Sequence, residues 1–149
     1  MDVNYDRYAE GEAVLGWLNA VIDLQSRRSF TDFMKPTLDL LERLHESLRL
    51  RNAEIGHLKV MLESGAEARD ASLTRLDGTI SGRNNSPLAG TAAKLILNIR
   101  AQMSPPALET ITRDALARLS DETMNASVRT LRCLMPGRPM PTYRYAQRV

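Results

Sequence analysis

Cysteine, lysine and aromatic side chains are scarce in this chain, and each scarcity removes a class of protein. The single cysteine among 149 residues, Cys133, has no internal disulfide partner, so the fold has to stand on its core, and the chain fits a reducing, cytoplasmic compartment. Unbroken apolar runs reach only a few residues, which argues against a membrane-spanning helix. The opening MDVNYDRYAEGEA is acidic and lacks the basic-then-apolar order of a signal peptide. Aromatics make up 5% of the residues, too few for the aromatic-rich strands of many RNA-binding sheets. Net charge is also low, +2, with 43% apolar residues, a combination that excludes a disordered chain.

Several chemical motifs are missing as well. The stretch Gly82-Arg-Asn-Asn-Ser-Pro-Leu-Ala-Gly90 has glycines but no Gly-Lys-Ser/Thr, and Lys94 comes too late for a phosphate loop. Cys133 sits in an apolar run, the setting of an inert thiol. Glu42-Arg-Leu-His45 and Glu54-Ile-Gly-His57 both have the Glu-x-x-His spacing that di-metal bundles take from separate helices. Here both fall on one expected helix, about 18 Å apart, and do not converge within a monomer. No cofactor, no metal site and no catalytic set follows from these residues, and the expectation is a protein that is not an enzyme.

What is present is arginine and a strong periodicity. Seventeen of the 20 basic residues are Arg. Charge is segregated: residues 1–25 carry a net −4 and residues 123–149 a net +5. Val14, Trp17, Leu18, Val21 and Leu24 recur at steps of three and four and predict a first helix over residues 8–24. Met34, Thr37, Leu41, Leu44, Leu48, Arg51, Ile55, Leu58 and Leu62 keep the same steps over four heptads and predict a long helix ending near Ser64-Gly65.

After Gly65 the texture changes. Residues 72–77 form a short predicted strand and 78–91, rich in Gly, Ser, Asn and Pro, a loop. Alternation over 92–102 predicts a half-buried strand, with Ala93, Leu95, Leu97, Ile99 and Ala101 on one side and Lys94, Ile96, Asn98, Arg100 and Gln102 on the other. Ser104-Pro105-Pro106 opens a helix, and 127–134 reads as another strand. The tail Pro136-Gly-Arg-Pro-Met-Pro-Thr-Tyr-Arg-Tyr145 is predicted to be extended.

The expected fold is therefore α+β: a long unequal helical hairpin packed on a small, about three-stranded sheet with one further helix. A fully helical protein is the alternative. The organisation reads as a helical hairpin over 1–68, a small α+β unit over 69–135 sharing the same core, and a Pro/Arg/Tyr-rich tail over 136–149.

Asn98-Ile-Arg-Ala, Pro106-Ala-Leu-Glu and the closing Pro-Gly-Arg-Pro-Met-Pro-Thr-Tyr-Arg together give residues 90–145 a resemblance to accessory α+β modules of P-loop GTPases of the cobalamin-biosynthesis or metallochaperone kind. The GTPase motifs themselves are missing. The resemblance implies a freestanding accessory module serving a separate enzyme or assembly factor.

The functional expectation is a non-catalytic assembly, adaptor or accessory protein acting through protein–protein contacts. Leu48, Arg51, Ile55, Leu58 and Leu62 on the long helix, with Arg138, Tyr143 and Arg144 in the tail, are the expected partner-binding residues. The long helix outruns the first by about 20 Å, so a homodimer is expected to cover its far end. The alternative is a nucleic-acid-binding module using the Arg/Tyr-rich C-terminus and the polar face of strand 92–102, which carries Lys94, Asn98 and Arg100.

Overall fold

Alternation, not helical spacing, organises the start of the chain. In the computed structural model, which describes residues 15–135, Leu18, Ala20, Ile22 and Leu24 are all buried and lie on one side of a strand. That strand is β1, Leu15–Ser26. It is followed by β2 (Thr31–Asp32), α1 (Met34–Leu50), β3 (Ile55–Ser64), β4 (Glu67–Leu73) and β5 (Ala89–Gly90). The chain continues through β6 (Ala92–Gln102), α2 (Pro105–Ala117) and β7 (Met124–Leu134).

Five strands form one antiparallel sheet in the order β4-β3-β6-β1-β7, while β2 and β5 make a separate two-stranded pair. β6 pairs antiparallel with both β1 and β3, so β1 and β3 run parallel, joined by α1 with β6 between them. In the same way β1 separates the parallel strands β6 and β7, which α2 joins. The sheet is thus two interleaved split βαβ units. β4 is added at one edge by a two-residue hairpin loop, where Gly65 takes φ 61° at the first loop position.

This architecture corrects the expected one. There is no helical hairpin: the first expected helix is the strand β1, and the long helix stops at Leu50. The stop is a Schellman motif. Asn52 has φ 50°, its N–H donates to the Arg49 carbonyl at 2.9 Å, and the Ala53 N–H donates to the Leu48 carbonyl at 2.9 Å. Ile55, Leu58 and Leu62 then lie on β3, all buried. Their three-and-four spacing is met on a strand because a register shift between Ile55 and His57 brings Ile55 to the same side as Leu58 and Leu62. Neither the hairpin nor the all-helical alternative survives.

The short strand expected over 72–77 is instead the end of β4, which stops at Leu73, and the expected loop over 78–91 contains β5. Three other expected elements are where the sequence places them. β6 spans Ala92–Gln102, with Leu95, Leu97, Ile99 and Ala101 buried. Ser104 caps α2, its side chain accepting from the Ala107 N–H, with proline at the first helical positions. Residues 127–134 lie within β7.

Both helices pack on the same face of the sheet. α1 contributes Met34, Leu40, Leu41, Leu44 and Leu48, and α2 contributes Leu108, Ile111, Ala115 and Leu116. They meet the inward rows of β1, β3 and β6, whose leucines, isoleucines and valine are almost fully buried. Two threonines share this core, and each hydroxyl donates to the carbonyl four residues back, Thr37 to Phe33 at 2.8 Å and Thr112 to Leu108 at 2.7 Å. Asp32 ties the β2–α1 corner: Oδ1 accepts from the Met34 N–H at 3.0 Å and the Leu88 N–H at 2.9 Å. One face of the sheet is therefore closed, and neither helix lies on the other.

Candidate functional site

Strand register lays the side chains of the open face out in rows. The first row runs Leu134, Trp17, Arg100, His57 across β7, β1, β6 and β3. Next come Arg132, Asn19, Asn98, Lys59 and Ser72, the last on β4. A third row is apolar at its centre: Thr130, Val21, Ile96, Met61 and Asp70. Ser127, Asp23, Lys94, Glu63 and Ala68 make the fourth.

Charge divides this face in two. In the fourth row every carboxylate has a cation. Asp23 takes the Arg129 guanidinium at 2.7 and 3.0 Å, and Glu63 takes Lys94 at 3.4 Å. The first two rows hold four cationic or protonatable groups, His57, Lys59, Arg100 and Arg132, and no acid. Among the described residues, none of those four forms a salt bridge with an acid.

At the centre of the first row Arg100 lies over the indole of Trp17, its guanidinium carbon 4.0 Å from the ring centroid. A depression of about 320 Å³ opens beside this pair, lined by Trp17, Asn19, His57, Lys59, Asn98, Ile99 and Arg100. Burial pushes the His57 imidazole below its ordinary pKa, and the Arg100 and Lys59 charges push it the same way. A planar aromatic ring, a flat guanidinium, an ammonium and two carboxamides converge here, a set suited to an anion that carries a planar group.

The expected partner-binding residues lie elsewhere. Leu48, Ile55, Leu58 and Leu62 are core side chains, exposed by 3% or less. Arg51 is exposed on the turn after α1, its guanidinium donating to the Ser47 carbonyl at 3.2 Å. Arg138, Tyr143 and Arg144 lie outside the described residues. The two Glu-x-x-His pairs are also separated. His45 bonds through Nε2 to the Leu76 carbonyl at 2.7 Å, whereas Glu54 precedes β3 and His57 belongs to the open face. No group of three metal-ligating side chains occurs among the described residues. Cys133 is half-buried, donates to the Pro105 carbonyl, and has its pKa raised by burial and by Glu109.

Two strands of the open face are legible in the sequence, 92–102 with Lys94, Asn98 and Arg100 and 127–134 with Arg132, but β1 and β3 between and beside them are not. The three-and-four spacing places Trp17, Asn19, His57 and Lys59 on the two predicted helices. The signal that identifies them is the alternation Leu18, Ala20, Ile22, Leu24 and Leu58, Val60, Leu62, which puts these polar and aromatic residues on the opposite side. No helix among the described residues is long and apolar enough to cross a membrane. What the site does rests on its own residues, since comparison of the chain with protein-family models, curated proteins and solved structures finds no match.

Proposed function

We propose that this protein is a non-catalytic binding module that takes single-stranded nucleic acid on the open face of its sheet. The observation that carries the reading is the pair of acid-free rows around Trp17 and Arg100. Flat groups for stacking and cations for phosphate are the two requirements of single-strand binding, and the central strands supply both. Asn19 and Asn98 offer donors and acceptors to base edges beside the stacking pair. A split βαβ topology alone would not justify the inference, because one fold serves many functions. The one cysteine fits a reducing, cytoplasmic setting.

The protein's only tryptophan is Trp17, so its fluorescence reports the site directly. Titration with short single-stranded oligonucleotides at low salt is expected to change that emission. Affinity is expected to fall with salt at a slope near −2 on logarithmic axes if about three phosphates are neutralised. Unchanged emission together with no retention of oligonucleotide at low salt removes the reading.

A protein–protein module is the second reading, and the apolar third row favours it. Val21, Ile96 and Met61 are only half-buried, and Leu134, opposite Trp17 on the same face, is exposed by 47%. Such a surface suits a second copy or another protein. Sedimentation equilibrium separates the two: a dimer whose emission ignores oligonucleotide supports the second reading.

A further inference from the structure

The loop between β4 and β5 does more than connect strands. Its residues 81–84 lie along the outer edge of β4 and pair with it. Ser72 and Ser81 exchange backbone hydrogen bonds at 2.6 and 3.0 Å, and the Asp70 N–H donates to the Asn84 carbonyl at 2.9 Å. The Asp70 carboxylate takes the backbone N–H groups of Arg83, at 3.4 Å, and Asn84, at 3.2 Å. Gly82 presses so closely on β4 that a Cβ there would collide with the Asp70 carbonyl. Arg69 secures the far end, donating to the carbonyls of Ser86 and Pro87 at 3.1 Å each. This strap covers the edge of β4 that would otherwise be free to pair.

The strap also brings a cation to the open face. A second depression, of about 410 Å³, is lined by Lys59, Met61, Ala68, Arg69, Asp70 and Arg83. Lys59 lines both depressions and links them. From Trp17 on β1 the path crosses β6 at Asn98 and β3 at Lys59, and reaches Arg83 beyond β4. The one acid on it, Asp70, already accepts two backbone N–H groups of the strap. Among the described residues the Arg83 side chain makes no hydrogen bond or ion pair.

Building on the nucleic-acid reading, we infer that the two depressions form one track running across the strands, and that Arg83 is a phosphate-binding residue at its far end. From β1 across β6, β3 and β4 to the strap is four strand spacings, a span of about 19 Å. A track of that length holds about three to four nucleotides of an extended strand. The base end sits at Trp17 and Arg100, a middle phosphate at Lys59, and the last phosphate at Arg83. Asp70, through the strap N–H groups it accepts, and Gly82, by its close approach to β4, position that arginine.

The test is a length series of oligothymidylates, from two to eight nucleotides, titrated into the full chain with Trp17 emission and calorimetry as readouts. Wild-type affinity is expected to rise up to about four nucleotides and then to level off. Arg83→Ala is expected to weaken the tetramer about fivefold, to lower the salt slope by about 0.7, and to leave the dimer's affinity unchanged. Arg83→Lys is expected to restore most of the loss. Gly82→Val keeps the guanidinium but displaces the strap, and is expected to mimic Arg83→Ala while circular dichroism stays native. If oligothymidylates bind but affinity climbs steadily to eight nucleotides, or Arg83→Ala weakens dimer and tetramer alike or neither, the track is wrong and the binding reading stands. If none binds the wild type, the reading itself falls.

Discussion

Arg100 and Trp17 face each other across β6 and β1, and the guanidinium of one lies 4.0 Å over the ring of the other. The contact draws a cation and an aromatic surface from residues 83 positions apart in the sequence, in no common motif, on strands that are adjacent in the sheet. On the proposed nucleic-acid reading it would couple stability and recognition, because the two planes that stabilise each other are also the proposed stacking platform.

Arg100→Gln is expected to change Trp17 emission in the free protein and to cost about 0.5–1 kcal/mol of stability, the range for an exposed cation–π pair. Oligonucleotide affinity is expected to drop with it. Chemical denaturation and a fluorescence titration on the same sample check both. Native emission and native affinity in the variant would remove Arg100 from the site.

Leu58→Ala is expected to cost about 2–5 kcal/mol, because its side chain is fully buried between the sheet and the helices. A residue on an exposed docking seam would lose partner affinity with little change in stability. Urea unfolding beside sedimentation distinguishes these outcomes, and an unaltered midpoint would contradict the packing.

Asn52→Gly is expected to be tolerated and Asn52→Val to destabilise by about 1–2 kcal/mol. The reason is the left-handed backbone at position 52, where a β-branched side chain crowds the following carbonyl. Thermal melts of the two variants check the order, and equal melting temperatures would count against the Schellman turn.

For His57 the pKa lies below 6.5 in the folded protein because of burial and the Arg100 and Lys59 charges. The unfolded chain therefore binds more protons as pH falls below about 6.5, and stability is lost through that window down to the folded pKa. His57→Gln is expected to flatten this part of the stability profile. An anion on the open face acts in the opposite sense, raising the His57 pKa, so phosphate-containing ligands are expected to bind more tightly as pH drops toward 6. Denaturant midpoints and oligonucleotide affinities between pH 5 and 8 test both signs.

Local chemistry decided several features without help from the rest of the chain. Ser104-Pro105-Pro106 starts a helix because a side-chain oxygen caps a backbone N–H and proline suits the first turn. The strict alternation of Ala92–Gln102 makes a strand with one buried face. Arg100 and Asn98 were visible as polar groups on that strand, but what stands beside them was not. In Leu15–Ser26 apolar residues occupy both faces, since Trp17 and Val21 line the open side while Leu18, Ile22 and Leu24 face the helices. Overlaid, the two sets imitate helical spacing.

In residues 34–64 a true helix and a strand follow one another with the same three-and-four steps. Only the left-handed Asn52 and the shifted register at Ile55 separate them. Partner strands resolve such ambiguities, because a pleated segment satisfies its backbone hydrogen bonds only when another strand lies alongside. The sequence by itself therefore determined a cysteine-poor, arginine-rich chain with a capped helix and two legible strands. Tertiary pairing decided that five strands share a sheet, that both helices cover the same side of it, and that Trp17, His57, Lys59, Asn98 and Arg100 meet on the other.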